Sequence, residues 1–118
     1  PKSRYVDIVK YVKRHQHNKN EKLLRIIFKK KHIGNLRIHF INQIQATIAI
    51  LIGEKNYHSK GIGSKSIKLA IKYIKKNKKK KIYAYVHKKN LPSLRLFKKS
   101  GFKIKEINKQ IIFEYLIN

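Results

Sequence analysis

At 118 residues the chain is long enough to bury a real core but not two, so a single domain over residues 1–118 is expected. Without cysteine there is neither a disulfide framework nor a thiolate metal site, and no apolar run approaches the roughly eighteen residues of a membrane span, which makes a cytoplasmic protein the expectation. The net charge of +26 invites a polyanionic partner, yet lysine supplies 26 of the 31 basic residues and, with 20 isoleucines and 9 asparagines, nearly half the chain, as A/T-rich codons would generate.

Tyr5, Ile8, Val9 and Val12 fall at i, i+3, i+4 and i+7, which predicts an N-terminal helix with one buried stripe and Ser3 as its cap. Leu23 to Phe28 and Gly34 to Ile41 are β-rich runs across a lysine-rich turn, read as an antiparallel hairpin. Thr47 to Ile52 is apolar on both parities and reads as a central strand covered on both faces. A glycine-bearing turn, His58-Ser-Lys-Gly-Ile-Gly63, then opens an amphipathic helix running to about Lys76, with Ile67, Ala70, Ile71 and Ile74 on one face and lysines on the other. Asn77 to Lys81 is a charged connection, and Ile82, Ala84 and Val86 alternate with Tyr83, Tyr85 and His87 as a strand, giving a parallel crossover. Asn90 caps a second helix that Gly101 ends, and 102–107 with 110–117 close the chain as a hairpin.

The turn at 58–63 carries the first functional signal. Glycines let a backbone approach an anion closely, and the N–H groups of a helix's first turn point at whatever sits there, so a pyrophosphate would suit it. A Walker loop needs Gly-Lys-Ser/Thr after its second glycine, whereas Gly63-Ser64-Lys65 reverses that order. The dinucleotide fingerprint fails as well, because residue 66 is serine and no acidic residue follows about twenty positions on. ATP and NAD sites are therefore disfavoured.

A second segment, Asn90-Leu-Pro-Ser93-Leu-Arg-Leu-Phe97-Lys-Lys-Ser-Gly101-Phe102, lies about thirty residues downstream. Together the two resemble the GNAT superfamily of N-acetyltransferases, whose phosphate loop reads Gln/Arg-x-x-Gly-x-Gly/Ala and whose second signature reads Asn-x-x-Ala/Ser-x-x-Leu-Tyr/Phe-x-Lys-x-Gly-Phe. His32-Ile-Gly34-Asn35-Leu and Ile50-Leu-Ile-Gly53-Glu-Lys look like the branch of ribosomal-protein alanine and nucleotide-sugar amine acetyltransferases. The resemblance covers about residues 23 to 117. It implies a mixed, mostly antiparallel sheet of about six strands with flanking helices and a central splayed parallel pair. It also implies a strand and helix ahead of Tyr5 that this sequence has no segment to supply; the edge so exposed could be covered by a second chain, as in a homodimer.

By the same resemblance, acetyl-CoA enters between the two splayed strands. Its pantetheine pairs with main-chain atoms of Ile50, Leu51 and Ile52, and its pyrophosphate rests on the loop and first turn made by His58, Ser59, Lys60, Gly61, Ile62, Gly63 and Ser64. Asn90 and Phe97 contact the cofactor from the second helix, Phe97 standing where many members carry a tyrosine acid. A primary amine, either a protein α-amine or an amino sugar nucleotide, attacks the thioester directly, and a backbone N–H near Leu51 stabilises the oxyanion. Glu54 is the nearest acid, and His39 and Asn35 on the preceding strand are further candidates for catalysis. No metal is expected, since His15 and His17 have no partners to complete a ligand set. The competing reading is a basic RNA- or ribosome-binding module on the same fold with little turnover. Five scattered arginines make nucleic acid the less favoured partner.

Overall fold

The computed structural model of the protein describes residues 7–11, 20–53 and 61–118. Seven strands form one sheet in the order β1-β2-β3-β4-β5-β7-β6: β1 Asp7–Tyr11, β2 Glu21–Phe28, β3 Lys31–Phe40, β4 Gln45–Ile52, β5 Lys81–His87, β6 Lys103–Ile107 and β7 Gln110–Leu116. Every neighbouring pair is antiparallel except β4 and β5, which run parallel. Helix α1, Ile62–Lys76, makes the crossover between them, and α2, Leu91–Lys99, follows β5.

Both helices pack on one face of the sheet. Ile67, Ala70 and Ile74 of α1 and Phe97 of α2 join Ile26, Leu36, Ile38, Ala46, Ile48, Ile82, Ala84, Val86 and Phe113 in a single core. Each buried isoleucine contributes roughly 1.5–3 kcal/mol relative to exposure. The i, i+3, i+4 stripe on α1 is therefore a packing stripe, and its lysines look outward. The connection after α1 is tied down rather than simply solvated: Lys79 donates from Nζ to the Asn42 carbonyl at 2.7 Å and lies over the Phe40 ring, while the backbone N–H groups of Lys80 and Lys81 both donate to the Ile44 carbonyl.

Two expectations are corrected. Asp7–Tyr11 is a strand and not a helix, paired antiparallel with β2 from Asp7 opposite Ile27 to Tyr11 opposite Leu23. The segment carries β-branched Ile8 and Val9, a helix of eight residues is marginal alone, and β2 offers an unfilled row of backbone partners, so pairing prevails over the helical spacing. This strand brings the sheet to seven and covers the edge of β2; two helices stand among the described residues. The second correction concerns β4, which is covered on one face only. Ala46 and Ile48 are buried, but Ala49 is exposed and Leu51 is 66% exposed, because both helices occupy the same side.

Candidate functional site

The parallel pair comes apart. β4 and β5 pair only at Gln45–Lys81, Ala46–Ile82 and Thr47–Tyr83. Beyond those positions β4 stays with β3 as far as Ile52 opposite Gly34, and β5 stays with β7 as far as His87 opposite Gln110. Each strand has its partner on the far side, so the two diverge toward their carboxyl ends.

Strand alternation decides what faces the opening. Ile41 N–H donates to the Gln45 carbonyl at one end of the β3–β4 pair and Gly53 N–H to the Ile33 carbonyl at the other, so odd-numbered residues of β4 turn their peptide groups toward β3. Those of even-numbered Ile50 turn toward β5, across the space β5 has left. A backbone N–H near Leu51 that points into the opening is thus that of Ile50, since the Leu51 N–H is directed at β3.

A hollow of about 110 Å³ fills the opening, lined by Ile50, Leu51, Ile52, Gly63, Asn90, Pro92, Ser93 and Leu96. One end of it is the start of α1, where Gly63 lines it. Gly61 stands at the N-cap with φ 75°, in the left-handed region that favours glycine, and it provides no side-chain cap. The turn closes with Lys65 N–H donating to the Gly61 carbonyl, and the N–H groups of Ile62, Gly63 and Ser64 belong to the first turn, ahead of the helix's own ladder of bonds. No acidic residue sits in that first turn to compete for them. Gly63 is the floor: a Cβ there would lie 2.8 Å from Leu96 Cδ2, so its absence lets α2 close against α1. Ser66, by contrast, is fully buried and donates its hydroxyl to the Ile62 carbonyl at 2.8 Å, which occupies it within the helix.

Of the residues expected at this cofactor site, Ile50, Leu51, Ile52, Gly63 and Asn90 line the one cleft. Asn90 also caps α2, its Oδ1 accepting from Ser93 N–H at 3.3 Å. Ile62 is buried in the core and offers only its main chain, and Ser64 borders a different groove with Lys68, Lys72, Lys75 and Lys99. Phe97 does not face the cleft: its ring is buried against Phe102 and Phe113, at centroid distances of 5.0 and 5.7 Å. His58, Ser59, Lys60 and Glu54 lie outside the described residues.

On the opposite face of the sheet a second hollow, of about 330 Å³, is lined by Leu23, Asn35, Leu36, Arg37, Ala49, Ile50 and Leu51. Ile50 and Leu51 belong to both hollows. The end of β4 is therefore a wall one strand thick between them. Asn35 stands opposite Leu51 and His39 opposite Thr47 on this open face. Arg37 donates from Nε to Glu21 Oε2 at 2.7 Å. Tyr85 is exposed, whereas Tyr83 is buried under Lys105, whose Nζ is 3.3 Å from the Tyr83 hydroxyl. Among the described residues no group of three or more His, Asp or Glu side chains gathers to hold a metal.

Two features escape the residue pattern. Gly34 is needed because a Cβ there would overlap the Leu51 carbonyl oxygen and stand 3.1 Å from Ile52 Cα; a lone glycine within a strand is the only trace of this in the sequence. His32 is the other. Its Nε2 lies 2.8 Å from the Gly34 carbonyl and 3.0 Å from Asn35 Oδ1, a contact that depends on an irregularity in the β2–β3 register opposite Ile26 and Ile27.

Known proteins share this fold. The profile described as an acetyltransferase (GNAT) domain matches residues 4–103. An uncharacterised protein of Methanocaldococcus jannaschii is 31% identical over 88 residues, 75% of this chain, which spans only 18% of that curated relative's length. The crystal structure of a domain from the same organism superposes with a TM-score of 0.79 at 27% identity, covering 86% of this chain and 70% of the other. A GNAT family acetyltransferase from Elizabethkingia anophelis with acetyl-CoA bound has a TM-score of 0.79 at 15% identity over 95% of this chain and 98% of its own. The Campylobacter jejuni N-acetyltransferase PseH in complex with acetyl coenzyme A gives 0.73 at 19% identity, covering 86% and 71%.

Proposed function

Because the chain belongs to the GNAT family of acetyltransferases, we propose that it transfers an acetyl group from acetyl-CoA to a primary amine by direct attack. The observation that supports this most is the shared wall: the same two residues, Ile50 and Leu51, border a cleft between splayed strands on one side and an open hollow on the other. A thioester laid along β4 from the first would present its carbonyl carbon to an amine arriving from the second.

In this reading the pantetheine amides bond to main-chain groups of β4 at Ile50, in place of the strand that β5 no longer supplies. The diphosphate rests at Gly61 and on the first-turn N–H groups of Ile62, Gly63 and Ser64, where the positive end of the helix dipole favours it; Lys60, Ser59 and His58 lead into the same turn. The Ile50 N–H receives the developing oxyanion. A thiol with a pKa of roughly 8.5 leaves without strong acid assistance, which suits a cleft whose lining includes no acidic side chain.

The acceptor is a small amine or a protein N-terminus that fits the open hollow. A hollow open to solvent suits either a protein α-amine or an amino sugar attached to a nucleotide. Among the described residues no helix is long and apolar enough to cross a membrane. Calorimetric titration with acetyl-CoA tests the reading, repeated with Gly61→Glu. The unsubstituted protein should bind; the variant, whose carboxylate and bulk occupy the diphosphate position and whose φ is strained, should lose at least tenfold in affinity. Salt-sensitive RNA affinity without acetyl-CoA binding would instead establish the basic binding module.

A further inference from the structure

An ammonium acceptor must lose a proton before or during attack, and the glutamates of the described strands are not placed to take it: Glu21 is paired with Arg37, Glu114 with Lys105, and Glu106 lies on β6 at the far edge of the sheet from β3. His32 is placed differently. It sits on β3 just ahead of Gly34 and Asn35, and its ring is anchored by these two neighbours, both of which border the Leu51–Ile52 segment: Gly34 pairs with Ile52 and Asn35 with Leu51. Asn35 also lines the hollow itself.

The chemistry of those anchors determines the proton. A backbone carbonyl oxygen can only accept, so Nε2 of His32, 2.8 Å from the Gly34 carbonyl, carries the hydrogen, with Asn35 Oδ1 at 3.0 Å as a second acceptor. In the neutral ring Nδ1 is then left with its lone pair, on an exposed side chain hydrogen-bonded to Asn35, which lines the hollow. The register irregularity between β2 and β3 is what allows residues 32 and 35, of opposite parity, to meet on one face.

We infer that His32 is the proton acceptor of the transfer, taking a proton on Nδ1 from the incoming amine, with Asn35 as the positioning residue. This rests on the acetyl-transfer reading above. The amine nitrogen forms the C–N bond to the thioester carbonyl carbon and the C–S bond breaks. One proton of the ammonium passes to His32 Nδ1 and from there to solvent, and the second leaves with CoA, which departs as thiolate and is protonated to the thiol. No other reactant is required. By strand register the charged residues around this end of β3 are Arg25, opposite Asn35 on β2, Asp7 on β1, opposite the Ile27 that pairs with His32, and Lys31 and Arg37 on β3 itself; β4 contributes uncharged Thr47, Ala49 and Leu51.

The test uses His32→Gln and Asn35→Ala with acetyl-CoA and a peptide bearing a free α-amine, followed by CoA release across pH, with acetyl-CoA affinity measured by calorimetry as the check on folding. His32→Gln should bind acetyl-CoA as the unsubstituted protein does while kcat falls roughly a hundredfold at about pH 7. The deficit should narrow as pH rises past the α-amine pKa of about 8, where the acceptor is already neutral. Asn35→Ala, which frees the ring without removing it, should show a smaller loss with the same trend. A kcat unchanged in His32→Gln, or a deficit constant across pH, overturns the inference alone. Absence of acetyl-CoA binding and turnover in the unsubstituted protein overturns the transfer reading and this inference with it.

Discussion

Gly34 shows how a single missing side chain sets the shape of the site. Any Cβ at that position would occupy the space of the Leu51 carbonyl oxygen, so the closing turn of β4 against β3 exists only with glycine there. The neighbour is backbone, which cannot swing aside as a side-chain tip can. Gly34→Ala should therefore destabilise the fold by about 1–3 kcal/mol, the range for overpacking, and should also shift the Ile50–Ile52 wall out of line. Urea denaturation and acetyl-CoA titration together check this: both midpoint and affinity should fall, and a variant with the affinity of the unsubstituted protein would show that the wall tolerates the shift. Gly63 differs in kind, because the atoms a Cβ would meet there are the Leu96 methyls, which can move.

The two helices play unequal parts. Helix α1 presents an N-terminus without a side-chain cap toward the cleft, whereas α2 is capped by Asn90, which also lines that cleft. Asn90→Asp separates the roles. Aspartate caps a helix about as well as asparagine, so thermal stability should change by less than about 0.5 kcal/mol. The added negative charge beside the path of an anionic cofactor should weaken acetyl-CoA binding several-fold, more at low salt than at high. Equal affinity in the two proteins would leave Asn90 as a cap alone. At this scale most of the architecture was legible: period-2 and period-3.6 patterns placed β2 to β7, α1 and α2, and the Asn90–Phe102 signature located the second wall of the cleft. What the patterns misjudged depended on partners far away in sequence. Asp7–Tyr11 has helical spacing, but β2 offered it backbone bonds. The apolar residues on both parities of β4 read as burial on both faces, while Leu51 in fact borders the hollow on the exposed side. His32 and Asn35 have the wrong parity to meet on a regular strand, and only the local irregularity joins them.

For the molecule as a whole, charge is distributed unevenly. The sequences of α1 and α2 contain no acidic residue, and the described glutamates belong to β2, β6 and β7. Along α1, Lys65–Lys68 and Lys72–Lys75 are spaced by three residues and Lys68–Lys72 and Lys72–Lys76 by four, so each pair is a like-charge neighbour on the helix surface. Such a pair destabilises by about 0.2–0.5 kcal/mol, and the four together by about 1–2 kcal/mol at low ionic strength. Salt shortens the screening length from about 30 Å at 0.01 M to about 10 Å at 0.1 M and should relieve much of this strain. For a domain of this size 1 kcal/mol corresponds to about 4 °C, so Tm should rise by about 3–6 °C between about 0.01 and 0.3 M NaCl. Lys72→Glu turns three of the four pairs, those with residues 68, 75 and 76, into opposite-charge pairs and should reproduce most of that rise at low salt, with a flatter salt dependence. A Tm indifferent to salt in the unsubstituted protein would mean that the lysine side chains, carried on long flexible stems, already spread their charge far enough into water to avoid one another.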